Sequence, residues 1–177
     1  MKAIILCAGY GTRLRPLTYF KPKCLIDICG KSVLERIMNY LHFYGIFEIA
    51  VNTHYKPLQI MKKFGNNFIY TYEKELLGEQ GTIDSLSGWI GDEQCVVVNG
   101  DTLTNVDLYS MISLSKGKNL RYMDNNIYAG IRLVNPFEQD IPSLRYGQKS
   151  AFWVDVGTFK GLKKAREIYA KKTGNLS

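Results

Sequence analysis

The sequence is poor in the features that mark special classes of protein. No apolar run reaches the roughly 18 residues of a membrane span. The N-terminal apolar stretch from Ala3 to Ala8 is too short for a secretory signal, so a strand of a soluble, cytoplasmic protein is expected there, with no membrane partner. Histidine occurs only at His42 and His54, and the four cysteines, Cys7, Cys24, Cys29 and Cys95, form no C-x-x-C pair. That poverty argues against zinc. Cys7 and Cys95 stand inside apolar runs, where a free thiol behaves as a small buried hydrophobe. With 5 Pro, 16 Gly, 46% hydrophobic and 22% charged residues, disorder, a collagen-like repeat and a disulfide miniprotein are all disfavoured. The length of 177 residues fits one globular domain, 1–177. Negative charge is also short: 16 Asp and Glu face 23 Lys and Arg, a formal charge of +7. Such a balance suits a polyanionic partner, whether nucleotide, phosphorylated sugar or nucleic acid.

What the sequence does have is an alternation of strand-like and helix-like segments. Lys2 to Ala8 is a near-continuous apolar run, as in a strand covered on both faces. Ser32 and Glu35 form a capping box before Val33, Leu34, Ile37, Met38 and Leu41 at helical spacing, and Gly45 is placed to end that helix. Strands are expected at Phe47–Asn52, Phe68–Tyr72 and Cys95–Asn99, with helical segments at Ile60–Phe64 and Thr82–Trp89 between them. Beyond Asp101 the pattern loosens to a possible helix at Val106–Leu114, strands at Ile127–Val134 and Phe152–Val154, and a basic amphipathic helix at Phe159–Lys171. The order implies an α/β, Rossmann-like, mostly parallel sheet with helices on both faces. Ligands bind at the carboxyl ends of such strands.

Directly after the first strand stands Gly9-Tyr-Gly11-Thr12-Arg13-Leu14-Arg15. Two close glycines there let backbone amides turn inward, and the arginines add charge, which makes a phosphate cradle. Leu14 takes the place of the third glycine of a dinucleotide fingerprint, so NAD binding is disfavoured. Gly30-Lys31-Ser32 mimics the tail of a Walker A motif, but Leu25 stands where its first glycine is required.

The string L-C-A-G-Y-G-T-R-L-R-P-L-T, then Lys21-Pro22-Lys23, then I-D-I-C-G-K-S-V-L-E closely resembles the opening of the sugar-phosphate nucleotidylyltransferases, or nucleoside-diphosphate-sugar pyrophosphorylases. The resemblance resumes in order at V-N-T-H-Y (Val51 to Tyr55), L-L-G-E-Q-G (Leu76 to Gly81), V-N-G-D (Val98 to Asp101), Y-A-G-I (Tyr128 to Ile131) and W-V-D-V-G-T (Trp153 to Thr158). It implies a fold of the GT-A type and transfer of a nucleoside monophosphate from an NTP to a sugar-1-phosphate, with release of pyrophosphate. Residues 1–105 would form the nucleotide-binding half and 106–177 a shortened acceptor half. By motif, Gly9, Gly11, Thr12, Arg13, Glu73 and Gly78 would bind the nucleotide, and Arg13, Lys23 and Asp101 would act in catalysis. Asp101 and Asp155 would hold Mg2+. Glu73 falls in the stretch similar to the family's base-reading segment, and a carboxylate there accepts hydrogen bonds only, which leans towards guanine. His54 is read as structural, because an ionised phosphate needs no general base.

The chain also departs from the family. Few residues separate Asp101 from Asp155, and the E-K-P type motif, whose Lys grips the sugar phosphate, has no evident counterpart. Arg121, Arg132, Arg145 and Lys149 are candidates to replace it. Glu79 and Gln80 stand where a small Thr-Ala pair is usual near the nucleoside, which would crowd or repurpose that site. The alternatives are cytidylyl or uridylyl transfer to another phosphorylated acceptor such as phosphocholine, a catalytically degenerate nucleotide-binding regulatory module, and a nucleic-acid binder. The leading reading expects no nucleic-acid partner and allows a homo-oligomer.

Overall fold

A computed structural model of the chain describes residues 1–135, 138, 144–148 and 151–174. In chain order the elements are β1 (Lys2–Leu6), a small hairpin of β2 (Asp27–Ile28) and β3 (Lys31–Ser32), α1 (Val33–Phe43), β4 (Ile49–Thr53), α2 (Pro57–Phe64) and β5 (Ile69–Tyr72). They continue as α3 (Gly78–Ser85), α4 (Ser87–Ile90), β6 (Cys95–Asn99), β7 (Thr102–Thr104), α5 (Leu108–Ser115), β8 (Leu120–Asp124) and β9 (Ile127–Val134). Last come β10 (Leu144–Tyr146), β11 (Trp153–Asp155) and α6 (Phe159–Gly174). None of the described helices is long and apolar enough to cross a membrane.

Local sequence explains several boundaries. The Ser32 hydroxyl accepts the Glu35 amide at the start of α1, but the Glu35 carboxylate turns away to Lys63, so half of the expected capping box forms. At the other end Gly45, at φ 75°, donates to the His42 carbonyl while Ile46 donates to Leu41. That pair of bonds is a Schellman ending, and it needs a residue free to adopt the left-handed conformation.

Seven strands form one sheet in the order β10-β8-β9-β6-β1-β4-β5, parallel except for β9, which runs against both β6 and β8. Alternate residues of β1 go to opposite faces. Ala3 and Ile5 pack with α1, α2, α5 and α6, whereas Ile4 joins Ile83 of α3, Ile90 of α4 and Leu86 between them. Burial on both faces accounts for the unbroken apolar runs of β1 and β6. The chain leaves β1 in one direction to β4 and returns on its other side as β6, so the switch in strand order falls between β1 and β6. A crevice opens there at their carboxyl ends.

A separate two-stranded pairing of β7 with β11 sets Asp155 opposite Thr102. The Val156 amide donates to the Asp101 carbonyl at 2.8 Å and locks that register. Between β6 and β7, Gly100 donates to the Leu6 carbonyl. A Cβ on Gly100 would lie 2.5 Å from that oxygen and 2.7 Å from Cys7 Sγ. Gly100→Ala is therefore expected to cost about 1 to 3 kcal/mol of stability through overpacking. Thermal denaturation checks it, with a fall in Tm of roughly 2 to 12 °C. Gly88→Ala, where nothing lies within 4 Å of the added atom, should leave Tm almost unchanged.

Candidate active site

The Gly9–Thr12 turn leaves β1 and passes directly into a 3₁₀ turn at Thr12–Leu14, anchored by fully buried Leu14. Gly11 has φ 65°, and a Cβ there would meet Thr18 Cγ2 at 2.9 Å and Lys23 Cβ at 3.0 Å. The Thr18 hydroxyl donates to the Gly11 carbonyl, and Tyr55 donates to the Thr18 carbonyl. Glycine is thus required at 11 both by conformation and by close approach. Of the two arginines, Arg13 faces Asp155 at 3.5 Å while Arg15 stacks on Tyr19 and points elsewhere.

Lys23 and Asp101 meet across the crevice, Nζ to Oδ2 at 2.5 Å, with both side chains mostly buried. Asp155, Asp101 and Arg13 converge on Gly157. A Cβ there would lie 2.8 Å from Asp155 Oδ1, 2.9 Å from Arg13 Nη2 and 3.0 Å from Asp101 Oδ2. The Gly157 amide also donates to Asp155 Oδ1 at 2.7 Å. The glycine of W-V-D-V-G-T therefore leaves open the space that a side chain would take from these three groups. Two carboxylates facing one small space are hard oxygen donors of the kind magnesium takes, leaving positions for phosphate oxygens and water. Among the described residues no cluster of three or more His, Cys, Asp or Glu side chains forms a metal site on its own. The pair fits the ion only if it is shared with a bound phosphate.

Lys23 and Asp101 line a cleft of about 310 Å³ whose walls also include Gly9, Asn52, Glu73 and Gly78, whereas Gly11, Thr12, Arg13 and Asp155 stand outside its lining. The structure thus brings most of the residues singled out in the sequence to one crevice. Glu73 is 3% exposed. Its Oε1 accepts from Asn52 Nδ2 at 2.8 Å and from the Thr82 hydroxyl, and its Oε2 accepts from the Leu77 amide at 3.3 Å. Asn52, unremarked within V-N-T-H-Y, is the hub: its Oδ1 also accepts the Cys7 amide at 2.6 Å. A polar residue at the carboxyl end of a buried strand was the available signal. His54 bridges the Tyr10 hydroxyl and the Glu73 carbonyl, a strut between two cleft walls.

Other expectations fall differently. Arg121 and Arg132 lie on β8 and β9, Arg145 on β10 is exposed, and Lys149 lies outside the described residues. Exposed Lys160, Lys163, Lys164, Arg166 and Lys171 all belong to α6, and none lines the cleft, so much of the positive charge sits away from it. Cys7, Cys24 and Cys95 are buried and Cys29 is exposed. A hydrogen bond with Cys24, then burial, raise the Cys7 thiol well above its ordinary range, and burial pushes Cys95 up to about 12. Both are thiols at neutral pH.

Removing the hub should be costly, because it strands a buried carboxylate and a buried amide. Asn52→Ala is expected to lose about 2 to 4 kcal/mol of stability. Urea denaturation checks it: a lower midpoint with an unchanged slope is expected.

Comparison with known proteins agrees with this geometry. A nucleotidyl transferase family model matches residues 2–127. The chain is 37% identical over 147 residues to D-glycero-alpha-D-manno-heptose 1-phosphate guanylyltransferase of Campylobacter jejuni, covering 80% of this chain and 66% of the relative. It is 37% identical over 114 residues to N-acetylmuramate alpha-1-phosphate uridylyltransferase of Neisseria meningitidis, covering 60% of this chain and 49% of the relative. The chain thus spans about half to two thirds of these relatives. In fold it is similar to HddC from Yersinia pseudotuberculosis, complexed with GMP-PN, at TM-score 0.81 and 24% identity over 95% of this chain and 99% of that one. With a family match across residues 2–127 and a relative 37% identical over 80% of its length, the chain belongs to the nucleotidyl transferase family.

Proposed function

We propose that this chain transfers a nucleoside monophosphate from an NTP to a sugar-1-phosphate, forming an NDP-sugar and pyrophosphate. The observation that carries this reading is the meeting of the Gly9–Thr12 turn, Lys23, Asp101, Arg13 and Asp155 at the carboxyl ends of β1, β6 and β11. A phosphate oxygen of the sugar phosphate attacks the α-phosphorus in line. The bond from the α-phosphorus to the bridging oxygen breaks, and pyrophosphate leaves with its electron pair. The attacking oxygen is already ionised, so no base is needed, and catalysis is positioning and charge neutralisation.

In this reading the turn amides hold the triphosphate, Arg13 offsets charge on the departing pyrophosphate, and Lys23 bridges the phosphates of the two substrates. Asp101 and Asp155 would hold Mg2+, which when bound supplies charge neutralisation on phosphate oxygens. GTP is the proposed donor. Glu73 and Gly78 line the cleft, and Glu73 Oε2, with only the Leu77 amide on it, keeps acceptor capacity for a donor edge of guanine. A guanylyltransferase among the relatives supports this choice, and a uridylyltransferase among them makes the nucleotide screen decisive.

Pyrophosphate release from four NTPs against a panel of sugar-1-phosphates tests the reading. GTP should be the best donor; preference for UTP or CTP would overturn the guanylyl part alone, and no turnover with any pair would overturn the whole. Asp101→Asn and Asp155→Asn should each lower turnover on the order of 100-fold or more with the fold intact. Full activity of either variant, or of the wild type in excess chelator, would show that the acidic pair holds no essential cation.

A further inference from the structure

Among the described residues, the buried side-chain atoms without a hydrogen-bond partner are Glu79 Oε1, Arg121 Nε, Tyr128 OH and Arg132 Nε. They belong to one cluster. Arg121 and Arg132 are register partners across β8 and β9, and the Arg121 guanidinium lies 5.5 Å from the Tyr128 ring. Arg132 Nε and Glu79 Oε1 approach to 2.6 Å, an ion pair whose geometry is not that of a hydrogen bond. Burial, then the neighbouring Glu79 charge, raise the Tyr128 phenol, which stays neutral. Glu79 and Arg132 thus compensate each other as an ion pair, and the Tyr128 hydroxyl and Arg121 Nε beside them remain unmatched, a cost to the fold that marks the cluster as shaped for more than stability.

Glu79 is the member that reaches the cleft. It lines the wall, with 33% of its side chain exposed, while Arg132 stands behind it at 6%. The carboxylate is thus presented from a cationic backing at the first turn of α3, where a helix start also favours negative charge. Glu79 follows Gly78 in the cleft wall, and its partner Arg132 stands on β9, on the far side of β6 from β1 and the Gly9–Thr12 turn that follows it. A carboxylate there accepts hydrogen bonds from hydroxyl groups and repels anions.

We propose that Glu79, positioned by Arg132, selects the acceptor: a neutral sugar phosphate whose ring or side-chain hydroxyl donates to the Glu79 carboxylate, in preference to one bearing a further acidic group or lacking that hydroxyl. The proposal rests on the reading of the cleft as that of a sugar-1-phosphate nucleotidylyltransferase. Glu79 is the specificity residue, and Arg132 acts through it.

Steady-state kinetics of the wild type, Glu79→Gln, Arg132→Met and the double variant test it. The acceptors are neutral aldose 1-phosphates, their monodeoxy analogues and a uronic acid 1-phosphate, each with the preferred NTP. Glu79→Gln should raise the KM for the neutral acceptor roughly 10-fold to 100-fold, with the NTP KM unchanged, as loss of one charge-assisted hydrogen bond would. One monodeoxy analogue should be equally poor with wild type and variant, and the uronic acid 1-phosphate should gain on the neutral sugar in the variant. Arg132→Met should reproduce these changes, and the double variant should be no worse than Glu79→Gln alone. Should Arg132→Met fail to fold, the double variant, which leaves no lone buried charge, carries the same comparison. Wild-type turnover with acceptor KM and ranking unaltered in Glu79→Gln would overturn this proposal alone, as would a change confined to the NTP KM. No turnover by the wild type with any pair overturns the underlying reading and this one with it.

Discussion

A lysine and an aspartate 78 residues apart, held at 2.5 Å under partial burial, set the terms for everything around the cleft. Neither could stand there alone, since an uncompensated charge in a partly desolvated crevice is far more costly than a paired one. The turn carrying Lys23 must therefore close over the carboxyl end of β1, and β6 must end where it does. On the proposed function this pairing also links the ligands. A phosphate that takes Lys23 leaves Asp101 in need of a new positive partner, so nucleotide and cation binding reinforce one another.

Close backbone approach is the second condition. Gly100 lets the β6–β7 corner lie against Leu6, and Gly157 leaves open the space that Asp101, Asp155 and Arg13 share. Gly130, at φ 74°, has Thr102 Oγ1 2.2 Å from where a Cβ would stand, which lets β9 pass under the same corner. The polar groups are positioned because small residues bring three strands together, and the network through Asn52 then stiffens the opposite wall.

Much of this was legible in sequence where the physics is local. The bounds of β6 and β9 follow directly from their β-branched and apolar runs, and the cap at Ser32 and the stop at Gly45 follow from side-chain and backbone chemistry. β7, β8 and β10 were not legible: two are three residues long, and β8 interleaves Arg121 and Asp124 with its apolar residues, which blurs the expected alternation. The single helix expected at Thr82–Trp89 is two, α3 beginning earlier at Gly78 and breaking at Leu86. Motif order gave Arg13, Lys23, Asp101 and Asp155 as a set, and their contact is visible only in three dimensions. The surroundings of Glu73 and the pairing of Glu79 with Arg132 depend on partners from distant strands and helices, for which periodicity holds no record.

Asp155 is held from two sides, by the pairing of β11 with β7 and by the bond from the Trp153 indole to Asp124 at the end of β8. Both partners, Thr102 and Asp124, precede Val134, so neither lies in the chain that runs from Val134 to Trp153. On the proposed function, insertions or deletions in that stretch would remodel the acceptor side in small evolutionary steps while both anchors of Asp155 stay in place. The fold separates what must stay constant from what can drift.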